Sequence, residues 1–478
     1  MSTSSTIVWF RQDLRLADNP ALLRAAESGS VVPVYVWSPE EEGDWAPGGA
    51  GKWWLHRSLE SLDGSLREIG SRLVVRRGDS LQQLRAIAEE TGAERVFWNR
   101  RYEPQAIERD KQIKASLAED GLGVESFNAA LLHEPWTVAT QQGQPYKVFT
   151  PYWRACLKQD IRREPLSKPK TLDAPGSWPK SVELDSLALN PKIAWDAGLA
   201  ETWDVGEAAA MKRLRAFAKR GMADYGDERN RMDHDGVSML SPYLHWGELS
   251  PRQAFAAADK LREKDPGAAD GVKVFLSEIG WREFSYHLMY HFPTVVDQPL
   301  REEFTRFEWD DDREALKRWQ RGQTGFPVVD AAMRQLYATG WMHNRARMIV
   351  ASFLTKDLLI PWQRGAEWFW DTLVDADLAS NTQGWQWTAG CGADASPFFR
   401  VFNPVSQSEK FDPQGDYIRR WVPELGGLDR PHIFQPHEAP PGVLRAAGVE
   451  LGKDYPLPMV DHGEARKRAL DVYQSMKN

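Results

Sequence analysis

The chain has 478 residues, 42% of them hydrophobic and 27% charged, with a formal net charge of −8. That balance excludes a disordered chain, and at roughly 100–200 residues per domain the length predicts two or three domains. A negative sum argues against a nucleic-acid partner only where charge is spread evenly, because binding follows the placement of charge and not its total. Cys156 and Cys391 are the only cysteines, which excludes a disulfide framework and a cysteine-built zinc site and fits a reducing cytosol. No run of about 18 apolar residues is present, so no membrane span is expected. MSTSSTIVWFRQDLR carries no secretory pattern.

In chain order, the first 130 residues alternate between two periodicities. TIVWF (6–10), VVPVYVW (31–37), SRLVVRR (71–77), ERVFWN (94–99) and GVESFN (123–128) read as short, Val-rich strands. Helical patterns fall between them at Pro20–Ser28, Lys52–Ile69, Ser80–Thr91 and Gln105–Glu119. This alternation predicts an α/β domain with a parallel, Rossmann-like sheet covered by helices on both faces. No G-x-G-x-x-G follows the first strand, so a dinucleotide fingerprint is absent. Residues 131–205 are rich in Pro, Ser, Lys and Asp (REPLSKPKTLDAPGSWPKS) and read as a long surface connection. Residues 206–478 read as helices with short breaks, including Pro327–Thr339, stopped by Gly340, and Asn344–Ile360, stopped by Pro361. The expected layout is an α/β domain (1–130), a linker (131–205) and an all-α domain (206–478).

Four stretches of the helical part stand out. In YGDERNRMDHDGVSMLSPYLHWGELSP (225–251), Gly236, Ser238 and Ser241 precede a helix, and free backbone N–H groups there suit a phosphate. Plain N-capping is the commoner role for such residues. In FLSEIGWREFSYHL (275–288), Glu278, Trp281 and Arg282 share one helix face, with an ordinary Glu278–Arg282 ion pair as the plain alternative. In GWMHNRARM (340–348), Asn344, Arg347 and Met348 share a face that is either a site or a solvated edge. VDADLASNTQGWQW (374–387) sets Asp375, Asp377 and Asn381 beside Trp385 and Trp387. No His lies close by and the surroundings are aromatic, so no metal site is expected. The chain holds 22 tryptophans against 12 tyrosines and 19 phenylalanines. An indole brings an N–H that a core does not need, so part of this excess points to stacking or electron transfer.

Together these stretches, with WFRQDLRLADNPAL (9–22) and RVFNP (400–404), resemble the photolyase/cryptochrome family over nearly the whole chain. The resemblance implies an antenna-chromophore domain, a linker and a helical FAD-binding catalytic domain. It implies that Tyr225 and Val237, Ser238, Met239, Leu240 and Ser241 grip the FAD phosphates, with Arg282 helping. Arg347, Asp375, Asp377 and Asn381 would lie along the flavin. Trp385, Trp362 and Trp309 match the family's three-step electron relay. Trp281 and Trp387 match the aromatic walls for a flipped pyrimidine dimer, and Glu278, Asn344 and Met348 line the same pocket. Arg229, Arg345 and Gln407 match positions that meet DNA phosphates or the lesion.

The activity so implied is light-driven repair of cyclobutane pyrimidine dimers, by electron transfer from excited reduced FAD to the flipped-out dimer. A cryptochrome-type photoreceptor is the alternative. Met348, Asn381, the second Trp of GWQW and the absence of a long tail in this sequence favour repair. VWSPEEEGDWAPGGAGKWWLHRSL (36–59) and LLHEPWTV (131–138) are similar to the plant-cryptochrome branch and its bacterial sister photolyases, the class III group. That group implies a folate antenna, expected on Trp136 with an acid from Glu40–Glu42. The sequence departs from the family at Tyr102–Ala106, where a Tyr-Glu-x-Asn-Glu folate run is not kept. It also carries Val237 for a usual Thr and Met239 for a common Arg. The expected partner is UV-damaged DNA, met by a monomer in the bacterial cytosol at the nucleoid, with no membrane and no obligate protein partner.

Overall fold

The computed structural model describes residues 5–159, 164–394 and 399–477. It divides into two compact units. The first comprises residues 1–223, 238–293 and 374–378, and the second comprises 224–237, 294–373 and 379–478.

The first unit is built on a five-stranded sheet of β1 (Ser5–Phe10), β2 (Ser30–Trp37), β3 (Val74–Arg77), β4 (Ala93–Asn99) and β5 (Gly123–Phe127). All pairings are parallel and the order is β3-β2-β1-β4-β5. Every residue of β1 and β2 is buried, as a sheet covered on both faces requires. Pro33 is tolerated inside β2 because pairing with β3 starts only at Val34, so its missing N–H removes no rung there. The crossover helices are α1 (Pro20–Ala26), α2 (Gly49–Glu68), α3 (Ser80–Thr91) and α4 (Pro104–Glu119), each within a few residues of the pattern-based expectation. Asn19 and Asp79 cap α1 and α3 by accepting from Leu22 and Gln82.

The strand order reverses between β1 and β4, and the crevice beyond the carboxyl ends of two such strands is where open α/β sheets usually take a ligand. Here charged side chains line its walls. Arg11 reaches Asp110 (3.0 Å) and the Asn99 carbonyl, and its guanidinium lies over Trp9 at 4.3 Å. Arg101 and Arg109 both hold Glu42, at 2.7 and 2.8 Å. Burial opposes the Glu42 charge, but these two arginines lower its pKa to about 2.

Residues 131–205 are not wholly a surface connection. They contain a helix, Phe149–Cys156, that buries Tyr152, Trp153 and Cys156; residues 160–163 lie outside the described residues. The 23-residue helix Ala269–His291 completes this unit together with Val374–Leu378, whose Val374 carbonyl accepts from Trp246 Nε1 at 3.0 Å.

The second unit is helical. Pro327–Thr339 ends at Gly340, which takes the left-handed conformation (φ 66°) of a C-terminal cap. The helix expected over Asn344–Ile360 is α-helical only to Ser352 and then widens into a π-turn, Phe353–Asp357, with every residue buried. Asp330 ties Thr324, Gly325 and the Tyr455 hydroxyl together.

Candidate functional site

Glu278, Trp281 and Arg282 do share a face of Ala269–His291, all three partly buried. Arg282 directs Nη1 to the Ala130 carbonyl (2.7 Å), stands 3.7 Å from Glu283, and covers the Tyr286 ring at 4.8 Å. Tyr286, one helical turn further on, donates to Asp377, and His245 Nδ1 lies 3.7 Å from the same carboxylate oxygen. Burial works against the Asp377 charge, yet His245, Arg282 and Tyr286 hold its pKa far below the carboxylate range. Burial and then Asp377 push the Tyr286 phenol well up, so it stays a donor. The cluster borders a cleft lined by Gln12, Tyr102, Ala130, His245, Arg282 and Tyr286, among others. Asp375 is buried two residues before Asp377.

The loop before Ser241–His245 is built by backbone. Its N-cap is Leu240, with no side-chain cap, so the capping alternative is not what this loop uses. Met239 sits at φ 49°, a conformation uncommon for residues other than glycine, and its sulfur accepts from Arg213 at 3.6 Å. Ser238 Oγ accepts from the Leu240 N–H at 3.4 Å. Leu240 is buried, whereas Ser241 is exposed.

Also in the first unit, Trp136 is 47% exposed, with Tyr102 and Tyr290 rings 6.3 and 5.4 Å away. Glu134 beside it is taken by Arg100 and the Tyr102 hydroxyl. Of the acids expected to serve Trp136, Glu41 receives the Ser80 hydroxyl and Glu42 is neutralised by its arginines, which leaves only Glu40 exposed.

In the second unit, Trp385 is buried against the helix Trp362–Thr372. A Cβ on Gly365 of that helix would stand 2.0 Å from the Trp385 ring. Asn381, a turn earlier, donates to the Ala366 carbonyl of the same helix at 3.1 Å. Trp385 meets Phe369 at 5.0 Å and Trp319 at 6.2 Å. Trp362 is buried at the helix start, and half-buried Trp309 lies 4.4 Å from Phe307. Trp387 is half-buried.

A basic group forms around the start of Asn344–Ser352. Arg345 bonds Asn230 at 2.6 Å and lies 4.3 Å over Phe411. Burial, then Arg229 and Arg400, lower its pKa, the signature of guanidinium groups crowded together. His343 accepts the Arg345 N–H through Nδ1 (3.1 Å), and burial followed by Arg345, Arg347 and Arg229 push its pKa down to about 4. Asn344 is exposed and Met348, one turn later, is half-buried. Arg347 donates to the Met342 carbonyl at 2.9 Å. Arg229 lies 5.8 Å from the Tyr225 ring, Val237 is half-buried, and so is Gln407 on Pro404–Phe411.

Residues 6–170 match the family described as DNA photolyase, and residues 275–475 match the FAD binding domain of DNA photolyase. A deoxyribodipyrimidine photo-lyase of Agrobacterium fabrum is 50% identical over 100% of this chain and 99% of its own length. The chain belongs to the photolyase/cryptochrome family. Within this family it is also 41% identical to cryptochrome-2 of Arabidopsis thaliana, over 97% of this chain and 77% of that protein. The crystal structure of a bacterial class III photolyase from Agrobacterium tumefaciens superposes with a TM-score of 0.96 at 50% identity, covering 100% of this chain and 98% of the other.

The residues present fit the FAD that this family's domain binds. Gly384, one turn after Asn381, is exposed, with nothing within 4 Å of where a Cβ would stand. Trp385 Nε1 is buried with no acceptor among the described residues. An open face beside Asn381 and an unanswered indole donor suit a bound group that carries acceptors.

Sequence reasoning missed Tyr286, His245, Arg400 and Trp319. Tyr286 had a local signal, since it stands four residues after Arg282 on the same face. His245 and Arg400 join their clusters only through the tertiary fold.

Proposed function

We propose that this chain repairs cyclobutane pyrimidine dimers in DNA under blue light, as a class III photolyase. The observation that carries the reading is the half-buried Trp281 indole on the same helix face as Glu278. It offers an apolar stacking surface beside a carboxyl group, a pairing suited to a flipped base and not needed by a core.

When bound and reduced, FAD supplies the light-excited electron that opens the cyclobutane ring. Tyr225 and the Val237–Ser241 loop hold its phosphates, helped by Arg282. Asp375, Asp377, Arg347 and Asn381 fix its orientation. Asp377 does so as an ionised carboxylate, since Tyr286, His245 and Arg282 keep the proton off it. Arg229, Arg345 and Gln407 meet the DNA, and the guanidinium groups crowded around Arg345 suit a phosphate. Trp281 and Trp387 stack on the extruded dimer, while Asn344 and Met348 line its pocket. Glu278 hydrogen-bonds the dimer and, in its protonated form, steadies the extra charge on it. Trp385, Trp362 and Trp309 pass oxidising equivalents outward when the cofactor must be reduced. A folate stacked on Trp136 serves as antenna, the exposed indole offering it a stacking surface. The chain works on DNA as a monomer in the bacterial cytosol; among the described residues no helix is long and apolar enough to cross a membrane.

The 41% identity to plant cryptochromes favours a second reading, a blue-light photoreceptor without repair. Purified, reduced protein mixed with an oligonucleotide carrying one thymine dimer decides between them. Restored thymine in blue light and none in the dark supports repair. No restoration with FAD bound and photoreducible moves the chain to the photoreceptor reading.

A further inference from the structure

The Trp281 indole is not free-standing. The Phe149 ring lies flat against it, with centroids 3.8 Å apart and planes at 10°. Phe284 closes the edge of both rings, at 5.9 Å from Trp281 and 6.0 Å from Phe149. Phe149 opens the short helix Phe149–Cys156, which is keyed to the Trp281 helix at two further points. Trp153 packs on Gly280 so closely that a Cβ there would stand 2.6 Å from the indole. Tyr152 meets Phe284 at 5.1 Å and His287 at 4.8 Å. Residues 149, 152 and 153 follow the i, i+3, i+4 spacing of one helix face, so a single face of this helix grips Gly280–Trp281–Phe284.

We infer that Phe149 is a positioning residue for lesion recognition, fixing the plane of Trp281 from behind so that the other indole face is presented ready-made to the flipped dimer. The inference rests on the repair reading and deepens it. An unsupported indole would have to be ordered as the dimer arrives, and that ordering is subtracted from affinity. Stacked on Phe149, the ring is ordered beforehand, as a preorganised recognition side chain must be. Gly280 belongs to the same device, because only glycine lets Trp153 seat the helix that carries Phe149.

The test compares dark binding of two oligonucleotides, one with a single thymine dimer and one undamaged, to the FAD-loaded protein and its variants. Phe149→Ala is expected to weaken dimer binding roughly 3- to 10-fold, the range of one aromatic stack. Binding of undamaged DNA and the repair yield at saturating substrate should not change. Phe149→Tyr, which keeps the flat ring, should restore dimer affinity. Should Phe149→Ala fail to fold, Phe149→Leu keeps apolar volume without the plane and is expected to show the same loss. Equal weakening for damaged and undamaged DNA, or unchanged dimer affinity in both the Ala and Leu variants, overturns the inference while wild-type preference for the dimer leaves the repair reading standing. No dimer preference in the wild type overturns both.

Discussion

Replacing Gly365 by Ala tests whether the packing around Trp385 is as tight as described. Gly→Ala inside a helix ordinarily stabilises by about 1 kcal/mol, through the helix preference of Ala. At Gly365 the new Cβ would stand 2.0 Å from Cη2 of Trp385 and 2.5 Å from Cζ2 and Cζ3. Carbon atoms rest about 3.5–4.0 Å apart, so the ring must retreat by about 1.5 Å. Phe369 and Trp319 also pack on it and the ring is only 2% exposed, so retreat means repacking. Overpacking of this kind costs about 1–3 kcal/mol, which offsets and exceeds the helical gain. Gly64, exposed in the middle of α2 with nothing within 4 Å, makes the contrast. Gly64→Ala should raise the melting temperature, Gly365→Ala should lower it, and only the latter should slow photoreduction of the flavin. A Gly365→Ala protein as stable as the wild type would refute the packing argument.

Four further outcomes are expected. Glu248 is buried beside Ser58 and Trp54, and burial raises its pKa to about 8. Between its ordinary value near 4.5 and about 8 the folded state holds a proton that the unfolded chain has lost, so stability falls by about 1.4 kcal/mol per pH unit as pH rises. Urea titrations at several pH values should show this slope for the wild type and its absence in Glu248→Gln; parallel slopes would count against the linkage. Trp385→Phe should abolish light-driven reduction of the flavin yet spare repair after chemical reduction, as transient absorption and thymine release will report. Glu278→Ala should lower repair yield with melting unchanged, and an unaltered yield removes the role given to Glu278. Gly384→Leu fills the open face beside Asn381 and should lower the flavin-to-protein ratio of the purified protein, where an unchanged ratio would exclude that face from the cofactor site.

The strands were legible because buried parallel strands are near-continuous runs of Val, Ile and aromatic residues, as VVPVYVW shows. The helix carrying Glu278, Trp281 and Arg282 was legible from spacing. Phe149–Cys156 escaped notice because its apolar face is eight residues long and lies in a Pro- and Lys-rich stretch. The π-turn at Phe353–Asp357 leaves no mark in the residue pattern, since all five residues are buried whichever way the turn is wound. The Asp377 cluster was half legible. Its carboxylate could be named, but Tyr286 and His245 approach it from 91 and more than 100 residues away. No local rule links such positions. The Phe149–Trp281 stack was hidden for the same reason.

The interleaving of the chain has a consequence during synthesis. Val374 and Asp377 supply the acceptors for Trp246 Nε1 and the Tyr286 hydroxyl, both in the first unit. The ribosome makes those two donors first, and the segment Val374–Leu378 follows about 80 residues after Pro293. At about 5–20 residues per second the nascent unit waits roughly 4–16 s for its last piece. The sheet can close in that time, but the Asp377 cluster of this unit is finished late. A chain stalled before residue 374 therefore carries the sheet of the first unit without the carboxylate to which Tyr286 donates.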